Sequence, residues 1–77
     1  MKISTWNVYF MEEMKMTRTE IAIALEQGMV LESDDETRYI SEENMCGGKY
    51  AMNYVENGFW IGMNLTDSLD EAIEFVS

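Results

Sequence analysis

The sequence predicts an α+β domain in which two helices cover one face of a small, largely antiparallel sheet of about five strands. Three observations lead to this fold class: short segments with the alternation of strands, two segments with helical spacing and start signals, and an Asn57-Gly58 pair typical of a tight hairpin. Along the chain the elements follow the order β-α-β-β-β-β-α. The 77 residues are expected to form one domain, residues 1–77, and the pattern leaves the order of strands within the sheet open.

The first two predicted elements are a strand and a short helix. Residues 2–11 alternate in the way that is typical of a strand. Thr17 and Glu20 have the spacing of a capping box, in which each side chain accepts a hydrogen bond from the backbone N–H of the other residue. Gln27 is predicted to end the helix and Gly28 to follow it, because glycine readily adopts the left-handed conformation found after helix ends.

The middle of the chain predicts strands that lead into a longer hairpin. Two short strands are expected at residues 29–32 and 37–41, on either side of a loop at residues 33–36. Residues 42–48 are rich in turn-forming residues and predict a second loop. This loop leads into the central hairpin, which we expect to span residues 49–65.

The hairpin turn also predicts which residues face each other. Asn57 and Gly58 tolerate the positive φ angles of a type I′ turn, which joins two strands through two residues. The predicted cross-strand pairs on the apolar side are Glu56 with Phe59, Tyr54 with Ile61, Met52 with Met63, and Tyr50 with Leu65. The other side pairs Val55 with Trp60. Because a shift of one residue would move apolar side chains to the wrong face, we expect this register to be well defined.

The last predicted element is a helix that begins after Ser68. Ser68 and Glu71 have the spacing of a second capping box. Four apolar residues follow at helical spacing and are expected to pack on the sheet: Leu69, Ala72, Ile73 and Val76. Three acidic residues are expected to face solvent: Asp70, Glu71 and Glu74.

The chain is strongly acidic. Fifteen Asp and Glu residues against five Lys and Arg residues give a formal net charge of −10. Nucleic acids and anionic membranes attract surfaces with clustered Lys and Arg, so direct binding to either is disfavoured and the expected partner is a basic protein. We expect a cytoplasmic location, because the chain shows neither a signal-peptide pattern nor an apolar segment as long as a membrane span.

Residue types that carry common catalytic chemistry are scarce. The chain has no histidine and therefore lacks the usual base beside a nucleophile. Cys46 is its single cysteine, which excludes an internal disulfide and leaves the role of this thiol open. Paired carboxylates could in principle bind Ca²⁺ or Mg²⁺, but no segment matches a calcium loop, a P-loop or a dinucleotide fingerprint. We expect no enzymatic activity, no cofactor and no metal.

The acidic residues fall in clusters, with the sequences EE, SDDE, SEEN and DSLDE. Carboxylates three or four residues apart on a helix lie about 5–6 Å apart, and each strand of duplex DNA presents one phosphate per roughly 3.4 Å. Rows of carboxylates can therefore imitate rows of phosphates. In length, charge and these clusters, the chain resembles the small acidic inhibitors that phages make against host DNA-binding proteins such as the nucleoid protein HU. The resemblance implies a non-enzymatic protein of the host bacterial cytoplasm that occupies the DNA-binding surface of a basic target.

The residues expected to contact this partner are Glu12, Glu13, Glu32, Asp34, Asp35, Glu36, Glu42, Glu43, Asp67, Asp70, Glu71 and Glu74. We also expect a homodimer, because so small a chain is not expected to cover the hairpin face that carries Val55 and Trp60. The alternative function is an adaptor or structural module with an apolar interface, whose acidic surface serves only solubility.

Overall fold

The computed structural model describes residues 2–4 and 16–77. Its elements are β1 (Lys2–Ser4), α1 (Arg18–Glu26), β2 (Val30–Glu32), β3 (Arg38–Met45), β4 (Gly48–Glu56), β5 (Phe59–Thr66) and α2 (Leu69–Val76). Two helices and an antiparallel sheet confirm the predicted α+β class. The predicted strand at residues 2–11 is seen as β1, and the rest of it lies outside the described residues.

The sheet follows the chain as a meander after its first strand. Each neighbouring pair of strands is antiparallel, and their order across the sheet is β1-β2-β3-β4-β5. Among the residues that the structure describes, β1 and β5 are therefore the two edge strands. Helix α1 connects β1 to β2, and α2 follows β5.

The core lies between one face of the sheet and the two helices. Leu31, Ile40 and Met52 are cross-strand neighbours on that face, and all three are buried. The buried side chains of the helices complete the same cluster: Ile21 and Leu25 from α1, and Leu69, Ala72 and Val76 from α2. Because a chain of this size buries only about 60% of its unfolded surface, both helices are needed to close this core.

The predicted helix ends agree with the structure. Glu20 donates its backbone N–H to the Thr17 hydroxyl (3.2 Å), and Thr17 donates its N–H to the Glu20 carboxylate (3.1 Å), which confirms the capping box. Gln27 is the C-cap of α1, and Gly28 follows with a φ of +86°. Ser68 is the N-cap of α2, where its hydroxyl accepts from the backbone N–H of Glu71 (3.1 Å). Its own N–H donates to the Thr66 hydroxyl (3.0 Å) instead of the Glu71 carboxylate, so the predicted capping box of Ser68 and Glu71 is only half formed.

The register of the central hairpin was predicted correctly only next to its turn. Asn57 and Gly58 have φ angles of +51° and +80°, and the pairs Glu56 with Phe59 and Val55 with Trp60 are confirmed. The remaining pairs are wrong, because a β-bulge places one extra residue, Ile61, in β5. Beyond it the observed pairs are Tyr54 with Gly62, Met52 with Asn64, and Tyr50 with Thr66.

The predicted loop at residues 42–48 is also wrong over most of its length. Strand β3 continues to Met45, and β4 begins at Gly48, so that only Cys46 and Gly47 separate them. Strand pairing with β4 satisfies the backbone of this polar segment and overrides the turn preference of its residues. Asn44, at a φ of +50°, lies within an irregularity between the paired positions Glu42 and Met45.

A candidate acidic partner-binding surface

The structure places most of the predicted acidic residues that it describes in two groups at opposite ends of the sheet. The loop-end group consists of Asp34, Asp35 and Glu36 in the β2–β3 loop, together with Glu56 before the β4–β5 turn. The cap-end group consists of Glu42 and Glu43 near the end of β3, with Asp67, Asp70 and Glu71 at the start of α2. Six residue steps separate Glu36 of the loop-end group from Glu42 of the cap-end group, which corresponds to about 20 Å at the rise of an extended strand.

The loop-end group is held in place by the β2–β3 loop. Residues Ser33 and Arg38 close this loop, because Ser33 donates its N–H to the Arg38 carbonyl (2.8 Å). One oxygen of Asp35 accepts from the Ser33 hydroxyl (2.6 Å) and from both the backbone N–H (3.1 Å) and the hydroxyl (2.7 Å) of Thr37. These hydrogen bonds, first that of Ser33 and then those of Thr37, lower the pKa of Asp35 to about 2. Asp35 therefore keeps its negative charge far into the acid range.

Strand β4 brings Glu56 to the same end of the molecule. The backbone N–H of Val55 donates to the carbonyl of Thr37 (2.8 Å), which joins the end of β4 to the end of the loop. Glu56 is exposed immediately after Val55. Sequence reasoning omitted Glu56, because the acidic residues of the β2–β3 loop lie 20 or more residues away in the chain and reach the same end of the molecule only through the meander.

The cap-end group is partly neutralised by basic residues. Arg18 donates from its Nε to Asp70 (2.7 Å), and this ion pair links the first turns of the two helices. Lys49 lies 3.5 Å from Glu42 and donates its backbone N–H to Asp67 (3.0 Å). The net negative charge that the cap-end group presents to a partner is therefore smaller than its number of carboxylates suggests.

Helix α2 carries acidic side chains from the cap end toward the loop end. Its first turn belongs to the cap-end group, and near its last turn the Phe75 ring meets the Tyr54 ring edge-on at 4.8 Å. Arg38, which closes the β2–β3 loop, lies 5.9 Å from the same Phe75 ring. On the outer side of the helix, Asp70, Glu71 and Glu74 are exposed, and we call these three residues the α2 strip.

Two of the predicted partner-binding residues have little exposed surface. Glu32 is only 6% exposed, because it belongs to the central part of the sheet beside Tyr39, its cross-strand partner. Burial, and then the charge and hydrogen bond of Glu32, raise the pKa of Tyr39. The side chain of Glu42 is 13% exposed and faces Lys49, so it is also a poor contact for a partner. Glu12 and Glu13 lie outside the described residues.

Other chemistry has little support in the described part of the chain. Within residues 2–4 and 16–77, no three or more His, Cys, Asp or Glu side chains are arranged to hold a metal ion. Cys46 is exposed in the β3–β4 turn. Neither of the two described helices has the length and apolarity that crossing a membrane requires.

Comparison with known proteins gives no match: no family model, no curated protein sequence and no solved structure is similar to this chain.

Proposed function

We propose that this protein is a non-enzymatic DNA mimic, which binds the DNA-binding surface of a basic bacterial protein, such as a histone-like nucleoid protein, and blocks it. The observation that supports this proposal is the α2 strip, which leads from the cap-end group toward the loop-end group. The proposed site of action is the host bacterial cytoplasm, as expected for the phage inhibitors that the chain resembles in length and charge.

The physical argument rests on how rigidly the carboxylates are presented. Helix α2 is anchored to the core by Leu69, Ala72 and Val76, so the opposite side of the helix is a fixed row of negative charge. Asp70 and Glu71 lie four and three residues before Glu74, a spacing that places Cβ atoms about 5–6 Å apart on a helix. The roughly 20 Å between the two ends corresponds to about six phosphates along one DNA strand. A groove or arm lined with Lys and Arg can therefore contact the row as it contacts a DNA backbone.

Two variants with the same net charge test whether position matters. The strip variant carries Asp70→Asn, Glu71→Gln and Glu74→Gln, and the loop-end variant carries Asp34→Asn, Glu36→Gln and Glu56→Gln. Both leave Asp35 and Asp67 unchanged, because these two residues accept backbone hydrogen bonds that hold the fold. Each variant neutralises three carboxylates, so a difference between them reports location and not total charge.

The measurement is displacement of a labelled DNA duplex from a purified histone-like protein at 50, 150 and 300 mM salt. We expect the wild-type protein to compete with DNA and its potency to fall as salt rises, because the contacts are ionic. The strip variant should lose at least tenfold in potency, since several contacts of up to about 1 kcal/mol are removed together. Simultaneous binding of this protein and DNA, or unchanged inhibition by both folded variants, would contradict the proposal.

An adaptor with an apolar interface is the second candidate, and a different observation favours it. Strand β5 exposes Phe59, Trp60 and Ile61 to solvent. Binding through such a surface would hold or tighten as salt rises, and it would not respond to either carboxylate variant. The same salt series therefore distinguishes the two functions.

A further inference from the structure

Strand β5 forms an open and apolar edge of the sheet. Among the described residues it pairs only with β4, and its outer side has no neighbouring strand. Phe59 is 75% exposed, Trp60 62%, Ile61 57% and Met63 39%. The indole N–H of Trp60 already donates to the Asn53 side chain (3.0 Å), so the exposed remainder of its ring is apolar.

The charge pattern also distinguishes this edge from the rest of the chain. Residues 57–66 contain no charged side chain, in a chain with a net charge of −10. Exposed edge strands are usually protected from pairing by lysine, proline or short length. β5 is eight residues long and has neither lysine nor proline. The bulge at Ile61 is the one irregularity in its pairing with β4.

The ladder between β4 and β5 shows which backbone groups of β5 point outward. The N–H of Val55 donates toward β3, so its partner Trp60 must direct its own N–H and C=O away from β4. The same alternation holds for Met63 and Leu65, which pair with Asn53 and Ala51. These outward positions can form a ladder with another strand.

We propose that β5 pairs antiparallel with β5 of a second copy of this chain, around a twofold axis, so that the two sheets become continuous. A homodimer was also expected from the sequence, but there the interface was the hairpin face that carries Val55 and Trp60. The present proposal places the contact at the edge of the sheet and makes it depend on backbone hydrogen bonds.

Charge favours a second copy over other occupants of this edge. A basic partner would find no carboxylate between residues 57 and 66, whereas twofold pairing places two uncharged strands against each other. With about 200 Å² for a buried aromatic side chain, the four exposed side chains offer about 400–500 Å² per copy. Stable interfaces use roughly 800 Å² per partner, so we expect a reversible dimer in the micromolar range.

The first test uses a matched pair of substitutions, Ile61→Lys and Ile23→Lys. Both replace an exposed isoleucine by the same charge, Ile61 in β5 and Ile23 on α1 at 49% exposure. Sedimentation equilibrium at 5–200 µM and at 0.05 and 0.5 M salt should show dimerisation of the wild-type protein that strengthens with salt, because screening reduces repulsion between the acidic copies. Ile61→Lys should weaken it at least tenfold, and Ile23→Lys less than twofold.

The second test locates the contact by amide hydrogen exchange, measured at 20 µM and 1 mM protein. Edge pairing should slow exchange of the outward N–H groups of Met63 and Leu65 at the higher concentration, while amides of the β2–β3 loop stay unchanged. A wild-type protein that remains monomeric at 200 µM in 0.5 M salt overturns the proposal. Equal dimerisation of both lysine variants, or dimerisation without slower exchange in β5, overturns it as well.

Discussion

Strand β5 and helix α2 are consecutive elements of eight residues each, and they differ in whether their apolar side chains are exposed or buried. α2 buries Leu69, Ala72 and Val76 against the sheet and turns its carboxylates outward. β5 has no charged residue, and its aromatic residues Phe59 and Trp60 are exposed. Only α2 uses most of its apolar side chains for the core.

Position in the sheet, and not hydrophobicity, therefore decides whether an apolar residue is buried in the core or exposed at an edge. Helix α2 lies on the covered face, where β3 and β4 provide a complete apolar surface. The turn half of β5 lies at an edge and extends beyond this cover. Apolar residues of α2 are therefore expected to stabilise the fold, and those of β5 to serve binding.

The largest effect is expected from placing the same charge in both elements. Ala72→Asp buries a carboxylate in a position with 0% exposure, which should cost about 4 kcal/mol or more and leave the chain largely unfolded. Ile61→Asp should change the free energy of unfolding by about 1 kcal/mol or less, because its site is exposed. Urea denaturation followed by circular dichroism measures both. Equal losses would show that β5 is part of the core.

Two glycines in the β4–β5 hairpin, Gly48 and Gly62, differ in how closely other atoms approach them. A Cβ at Gly48 would lie 2.6 Å from the Thr66 backbone nitrogen, so Gly48→Ala must displace β5 and should destabilise the protein by about 1–3 kcal/mol. A Cβ at Gly62 meets nothing within 4 Å, and Gly62→Ala should stabilise it by about 0.5 kcal/mol, because alanine loses less chain entropy on folding. Thermal unfolding distinguishes the two. Destabilisation by Gly62→Ala would indicate that another group occupies the space beside Gly62.

The carboxylates of α2 should be dispensable for stability, in contrast to that of Asp35. The pKa of Asp35 is about 2 in the folded protein and about 3.9 when unfolded, so the unfolded state binds more protons between these values. Its stabilising contribution is present above pH 4 and is lost as the pH falls through 2. Asp35→Asn should therefore lower the urea midpoint at pH 7 and lower it less at pH 2.5. Glu74→Gln is the control, and a midpoint shift as large as that of Asp35→Asn would contradict the prediction.

The smallest effect is expected at the ion pair between α1 and α2. The side chains of Arg18 and Asp70 are 63% and 74% exposed, and exposed pairs contribute about 0–1 kcal/mol. Arg18→Ala should lower the free energy of unfolding slightly at 50 mM salt, with little difference left at 500 mM. If the proposed function is correct, this variant should also bind a basic target more tightly, since Asp70 loses its positive neighbour. Weaker binding to the target would count against a role for the α2 strip.

Local signals in the sequence predicted the elements well where a few adjacent residues satisfy one another. The capping box of Thr17 and Glu20 and the positive φ angles of Asn57 and Gly58 depend only on neighbours in the chain. The same is true of the spacing that buries Leu69, Ala72 and Val76, because a helix places residues three and four apart on one side.

The candidate site was predictable only in part, for a related reason. Composition shows that the surface is acidic, and helical spacing places Asp70, Glu71 and Glu74 in solvent. Whether a carboxylate is buried, as Glu32 is, depends on which strands lie beside it. Strand order is determined by contacts between distant segments, and the local pattern does not contain it.

By itself, then, the sequence determined the fold class, the helix caps and the two-residue turn, because these follow from hydrogen bonds within a few residues. The tertiary structure decided the register beyond Val55 and Trp60, where the bulge at Ile61 shifts every later pair by one residue. It also decided the extension of β3 to Met45 and the separation of the acidic residues into two ends joined by α2. The physical reason is that pairing and packing between strands stabilise arrangements that local preference alone does not favour.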